Sequence, residues 1–223
     1  MNAVRLLILL MTTHQHPTVA LLDLGEASTA SLQIISMFRF FGLDSHENPP
    51  ENFQSSISRY GLLDVCSWVG VSCSNGCVES LGYVYDKRMP QMHVAWAPRS
   101  TRMCSLYGQR VSAPNLTRCL PPRLENLCVV ACGVHGTLDL TCLPRNMVTV
   151  DLEKNMLSGV VSLMHLPATL KRLNLRTNRI STVIGTASCL PPGISRVDIS
   201  AQGMFAATYV SCDGSEKPPI FKI

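Results

Sequence analysis

The chain has 223 residues, enough to bury a core, and an apolar fraction of 46% beside 15% charged residues marks an ordered globular protein. A formal charge of +4, with 19 basic and 15 acidic residues and no polybasic run, speaks against nucleic acid or an anionic membrane as the main partner. Ten cysteines, an even and high count, lean towards an oxidising compartment.

In chain order, residues 1–20 have the outline of a secretory leader: Arg5, an apolar run from Leu6 to Met11, and small residues near Ala20. The run is just short of the usual ~7–15 residues, so an ordinary chain start fits the same stretch. No segment approaches the ~20 apolar residues of a membrane span, and the ending SEKPPIFKI is no lipid-anchor signal.

Residues 21–73 read as an N-terminal cap region. SLQIISMFRFFGL predicts a helix with an apolar face from Leu32 to Phe41, NPPEN breaks it, and NFQSSISRYGLL predicts a second short helix. CSWVGVSC follows, from Cys66 to Cys73.

Residues 74–212 repeat with a period of 23 to 24. Four segments open with Leu-Pro at Leu120, Leu143, Leu166 and Leu190, and weaker copies begin at Ala97 and Ser74. The fifth position holds Val78, Thr101, Leu124, Met147, Leu170 and Ile194. The eighth holds Leu81, Cys104, Leu127, Val150, Leu173 and Val197, and the tenth Tyr83, Leu106, Val129, Leu152, Leu175 and Ile199. Seventeen of these eighteen are apolar, where composition alone gives roughly eight. The thirteenth position carries Asn155 and Asn178, with Gln109, Cys132 and Gln202 at equivalent places, a column suited to satisfying backbone groups where the chain turns inside a stack. Helices fit badly, because the apolar spacing is wrong for a 3.6 period and proline recurs at the repeat starts.

This pattern resembles the leucine-rich repeat. Together with C-x-W-x-G-V-x-C before the first strand and LSG at Leu157–Gly159, it resembles the plant-type class and, more closely, the leucine-rich-repeat surface antigens of kinetoplastid parasites. The resemblance implies an α/β horseshoe-like solenoid, with parallel strands on the concave face, an irregular or 3-10 convex side and a small helical cap. It further implies a secreted or surface-displayed recognition protein, a Cys66–Cys73 disulfide, and Trp68 packed over the first strand. Residues 213–223 then read as a tail, after repeats that stop without a recognisable C-terminal cap.

Cys73, Cys119, Cys142, Cys189 and Cys212 share one repeat position. Strands ~4.8 Å apart would suit Cys119–Cys142 and Cys189–Cys212 bridges, and a column of buried thiols packed as small apolar residues suits the same positions. Cys128, Cys132, His135 and Cys142 are close in sequence, but repeat register scatters them, so no metal site is expected.

Strand alternation sends the seventh, ninth, eleventh and twelfth positions to the concave face. There Tyr85, Met103 and Tyr107 are the expected anchors for a protein, peptide or glycan, and Arg172, Arg176 and Arg196 the expected contacts to acidic groups. Asn115-Leu116-Thr117 is the one N-glycosylation sequon, used only on the secretory route. No nucleophile–base arrangement, phosphate loop or paired carboxylate stands out, so a non-catalytic binding module without cofactor is expected. The alternative is an intracellular repeat scaffold with reduced cysteines.

Overall fold

The computed structural model describes residues 5–10, 18–23, 29–43, 64–86, 89–113, 116–203 and 206–222, with side chains from residue 29 onward. The second cap helix, expected in 52–63, and the sequon residue Asn115 lie outside the described residues.

Strands β1 (Arg5–Leu10) and β2 (Thr18–Asp23) pair antiparallel across the end of the segment read as a leader, and helix α1 (Thr29–Phe40) lies in the cap region. Then follow β3 (Val71–Ser74), β4 (Cys77–Val84), β5 (Met92–His93), β6 (Met103–Tyr107), β7 (Val111–Ser112), β8 (Asn126–Val130) and β9 (His135–Gly136). The remainder comprises β10 (Thr149–Asp151), β11 (Met156–Ser162), β12 (Arg172–Asn174), β13 (Arg179–Gly185), β14 (Arg196–Asp198), β15 (Thr208–Ser211) and β16 (Phe221–Lys222).

The fold is the expected parallel-strand solenoid with a small helix near its N-terminal end. Its main sheet runs β16-β14-β12-β10-β8-β6-β4-β3, parallel throughout except for the antiparallel β3–β4 pair at the cap. Register follows the repeat: Cys104, Leu127, Val150, Leu173 and Val197 face one another from strand to strand, all 1% exposed or less. Five strands of the main sheet, β6, β8, β10, β12 and β14, are each launched by a proline turn. The fifth-position N–H donates to the second-position proline carbonyl in Thr101–Pro98, Leu124–Pro121, Met147–Pro144, Leu170–Pro167 and Ile194–Pro191. Proline supplies a fixed φ there and has no N–H to satisfy.

The amide column performs the backbone accounting expected of it. Asn155 Nδ2 donates to Val129 O and Leu152 O, while its Oδ1 accepts from the N–H groups of Cys132 and Val134. Asn178 and Gln202 repeat this pattern one and two turns later, and Gln109 Nε2 donates to Val84 O. Cys132, with only a weak thiol donor, still reaches Leu106 O at 3.4 Å and Val130 O at 3.2 Å. The preceding residue is left-handed in five successive repeats, at Gly108, Ala131, Lys154, Thr177 and Ala201, which turns the chain out of the strand.

Opposite the main sheet, short 3-10 turns at Val94–Trp96, Leu116–Cys119, Leu140–Cys142 and Ala187–Cys189 match the expected convex side. A second sheet, β15-β13-β11-β9, was not expected. Residues 213–223 also do more than form a tail: β16 pairs with β14, Phe221 opposes Val197 and is 3% exposed, and its N–H closes on Pro218 O. The segment supplies a seventh strand in repeat register.

At the other end, Met37, Phe40 and Phe41 of the α1 region are buried over the first repeat with Tyr83. Trp68, 3% exposed, packs edge-on against Phe38 and tilted against Phe41, so its ring partners are cap-helix residues rather than the strand surface alone. Gln33 Oε1 accepts from Val78 N–H and its Nε2 donates to Gly76 O, joining the helix to the edge of the repeats. Cys66 and Cys73 are disulfide-bonded.

Candidate functional site on the concave sheet

The solvent face of the main sheet is a grid. One row reads Ser80, Met103, Asn126, Thr149, Arg172 and Arg196; the next reads Gly82, Ser105, Cys128, Asp151, Asn174 and Asp198. A third starts Val84, Tyr107 and Val130 and continues through Glu153, Arg176 and Ser200, aligned by the bonds Ala131 N to Glu153 O, Lys154 N to Arg176 O and Thr177 N to Ser200 O. Alternation puts these side chains outward because their strand neighbours fill the core.

All six residues expected here are exposed and share this face. Tyr85 (66%), Met103 (44%) and Tyr107 (42%) sit at the cap end with Val84 at 74%, which the sequence reading did not single out as an anchor. The Cβ position of Gly108 lies 3.0 Å from Tyr85 Cβ, so a side chain at 108 would displace the tyrosine. Beside it Asp86, Met89, Gln109 and Arg110 line a recess of about 350 Å³. A second recess, at Arg179, Ser181, Gln202 and Thr208, belongs to the second sheet instead.

Cys128 lies half-buried on the floor between the two ends. Burial raises its thiol pKa, against the lowering effect of hydrogen bonds from Tyr107 and Ser105. Tyr107 is raised in turn, first by the facing Cys128 and then by burial. Both groups are therefore neutral at pH 7.

The far end is charged but mostly self-satisfied. Asn174 Nδ2 donates to Asp151 Oδ1 at 3.1 Å and to Glu153 Oε2 at 3.2 Å, and Lys154 Nζ lies 3.9 Å from Glu153 Oε1. Arg196 Nη2 donates to Asp198 Oδ2 at 2.8 Å, and Ser200 Oγ donates to Asp198 Oδ1 at 2.6 Å. Burial alone would raise the Asp198 carboxyl; the Arg196 and Ser200 hydrogen bonds outweigh it and hold the group below the ordinary carboxylate range. Arg196 is thus engaged within its own strand, unlike the free contact residue expected. Arg172 and Arg176 enter no ion pair among the described residues.

The cysteine expectation needs correction. Cys119, Cys142, Cys189 and Cys212 are all free thiols. Nor do they form a buried column, since Cys119, Cys142 and Cys212 are exposed and Cys189 is half-buried. Three of them end the 3-10 turns on the side away from the main sheet, where strand spacing does not set their separation. Cys142 Sγ instead donates to Asp139 Oδ2 at 3.4 Å, a carboxylate also held by Arg118 at 3.0 Å. Hydrogen bonds from Thr141, then Cys142, take the Asp139 pKa down to about 2.

Among the described residues no group of three or more His, Cys, Asp and Glu side chains gathers as a metal site, and no helix is long and apolar enough to cross a membrane.

No protein-family model matches the chain, and no curated protein matches it. Among solved structures, a pollen receptor kinase 3 is similar over 60% of this chain and 67% of that one, at 18% identity and a TM-score of 0.47. A plant ice-binding protein is similar over 80% of this chain and 71% of that one, at 13% identity and a TM-score of 0.47.

Proposed function

We propose that the chain is a non-catalytic recognition module that binds a protein, peptide or glycan through the concave face of the main sheet, outside the cell or at its surface. The observation that carries this reading is the exposed cluster of Val84, Tyr85 and Tyr107, with exposed Met103 further along the same strand face, on an in-register sheet. Contiguous apolar exposure on a folded surface marks an interaction site more often than it marks chance, and aromatic residues and Met are enriched at interface cores. The cap disulfide supports export, which glycan on Asn115 would accompany.

The test is binding to a random-peptide display library and a glycan array by three forms of the chain: wild type, Tyr85→Ser/Tyr107→Ser, and Val160→Ser/Val210→Ser on the second sheet. Loss of binding in the concave variant alone supports the reading; loss in the second-sheet variant alone overturns it.

A second reading, an intracellular scaffold, rests on one observation: eight of the ten cysteines are free, as in a reducing compartment. Non-reducing peptide mapping of native protein separates the two, by a linked or an open Cys66–Cys73 pair.

A further inference from the structure

Two rows of the concave grid carry the same pairing. Met103 and Arg172 share one row, separated by Asn126 and Thr149. Tyr107 and Arg176 share another, separated by Val130 and Glu153. In both, an exposed apolar side chain on β6 and an exposed guanidinium on or just after β12 stand three strand spacings apart, roughly 14 Å at the usual ~4.8 Å per step.

Charge on the face is strongly segregated. The concave positions of the first three repeats hold no ionisable acid or base beyond Tyr and Cys. In the later repeats Asp151, Glu153 and Asp198 are each held by a neighbour, and Arg196 is consumed by Asp198. Four basic groups, Lys154, Arg172, Arg176 and Arg196, stand against three carboxylates, Asp151, Glu153 and Asp198, and Arg172 and Arg176 are the two that ion-pair with none of them among the described residues. A bound segment lying over them therefore meets positive potential at one end and a neutral apolar surface at the other.

Building on the recognition reading, we infer that the occupant is an extended polypeptide crossing the strands along one of these rows, with an apolar or aromatic side chain over Met103 or Tyr107 and a carboxylate over the arginine of the same row, Arg172 or Arg176. An extended chain advances ~3.3 Å per residue, so the two features stand about four residues apart. Guanidinium suits this role because its planar donor fork matches a carboxylate in two-point contact.

The experiment pans displayed random twelve-residue peptides on the immobilised full chain, then titrates the enriched peptides against variants whose fold is checked by circular dichroism. Enrichment of an apolar residue and Asp or Glu about four positions apart is expected. Arg172→Glu/Arg176→Glu should weaken such peptides about tenfold or more, while Arg172→Lys/Arg176→Lys, which keeps the charge, loses less. Enriched peptides lacking acids, or indifferent to the Arg→Glu change, overturn this inference, and their loss on Tyr107→Ser leaves the recognition reading standing. Glycan binding lost on Tyr85→Ser/Tyr107→Ser, with no peptide enriched, does the same. Peptides indifferent to both variant sets overturn both readings.

Discussion

Asn178 reaches back one full repeat: its Nδ2 donates to Leu152 O at 3.0 Å while its Oδ1 accepts from Leu157 N–H at 3.0 Å. The same amide also donates to Leu175 O at 2.9 Å, so one side chain ties two consecutive repeats together from inside the core. Replacing Asn178 with Ala orphans the Leu157 N–H, at ~1–3 kcal/mol, and removes one of two amide donors from Leu152 O and Leu175 O, which keep Asn155 and Gln202. Urea denaturation should show Asn178→Ala less stable by about 2–4 kcal/mol. A loss under about 1 kcal/mol would contradict the role given to the amide column.

Gly70 explains the glycine of the cap element. Its φ is +80°, and a Cβ there would lie 2.5 Å from Gly82 O and 2.6 Å from the Tyr83 ring. Left-handed strain costs ~1–2 kcal/mol, and backbone oxygen cannot give way as a flexible side chain can. Gly70→Ala should lower the thermal midpoint by at least about 5 °C, with a loosened cap visible in near-UV dichroism from Trp68 and Tyr83. An unchanged midpoint would contradict the close approach.

The Cys66–Cys73 bond closes a short loop of sequence separation seven. Chain-entropy reasoning assigns such a loop about 2–3 kcal/mol. Cys66→Ser/Cys73→Ser should therefore lower stability by that amount and abolish the sensitivity of the wild-type denaturation midpoint to reductant. A midpoint that shifts equally with reductant in both proteins would place the sensitivity elsewhere.

Alkaline pH probes the core directly. Burial, followed by the neighbouring Cys128 and Cys132, pushes the Cys104 thiol from 9.0 up to about 12, and burial also raises the Tyr83 hydroxyl. Because both folded pKa values exceed the unfolded ones, their contribution is complete below the unfolded values and is lost as pH climbs through the window from about 9 to 12. Stability measured at pH 7, 8, 9, 10 and 11 should hold and then fall over the last two steps, and Cys104→Ala should flatten that fall. An identical fall in Cys104→Ala would contradict the assignment to this thiol.

Much of the fold is legible in the sequence because repetition places the same position in the same environment several times. The columns headed by Leu124, Leu127 and Val129 fall in the core, and Asn155 and Asn178 turn the chain as expected. The second sheet is harder to read, since its strands HG, MLSGVVS, RISTVIG and TYVS differ in length and pair through a bulge at Gly159/Val160. The cysteine bridges failed because a spacing valid for strands was applied to the opposite side of the solenoid. On the concave face, sequence register finds Arg172, Arg176 and Arg196 together, but only side-chain placement shows that Asp198 has taken the third. Phe221 carried a signal that was missed: it stands 24 positions after Val197, one repeat on.

The central claim, recognition through the concave face, is tested most directly by thiol footprinting of the native chain. Cys128 lies on the floor of that face, and exposed Cys119 and Cys142 lie on the opposite side. Alkylation at pH 8.5, followed residue by residue by mass spectrometry, would be compared with and without a saturating peptide enriched on the wild-type chain. Slower labelling of Cys128 with unchanged Cys119 and Cys142 is the predicted result. Protection of Cys119 or Cys142 with Cys128 unaffected would contradict the account.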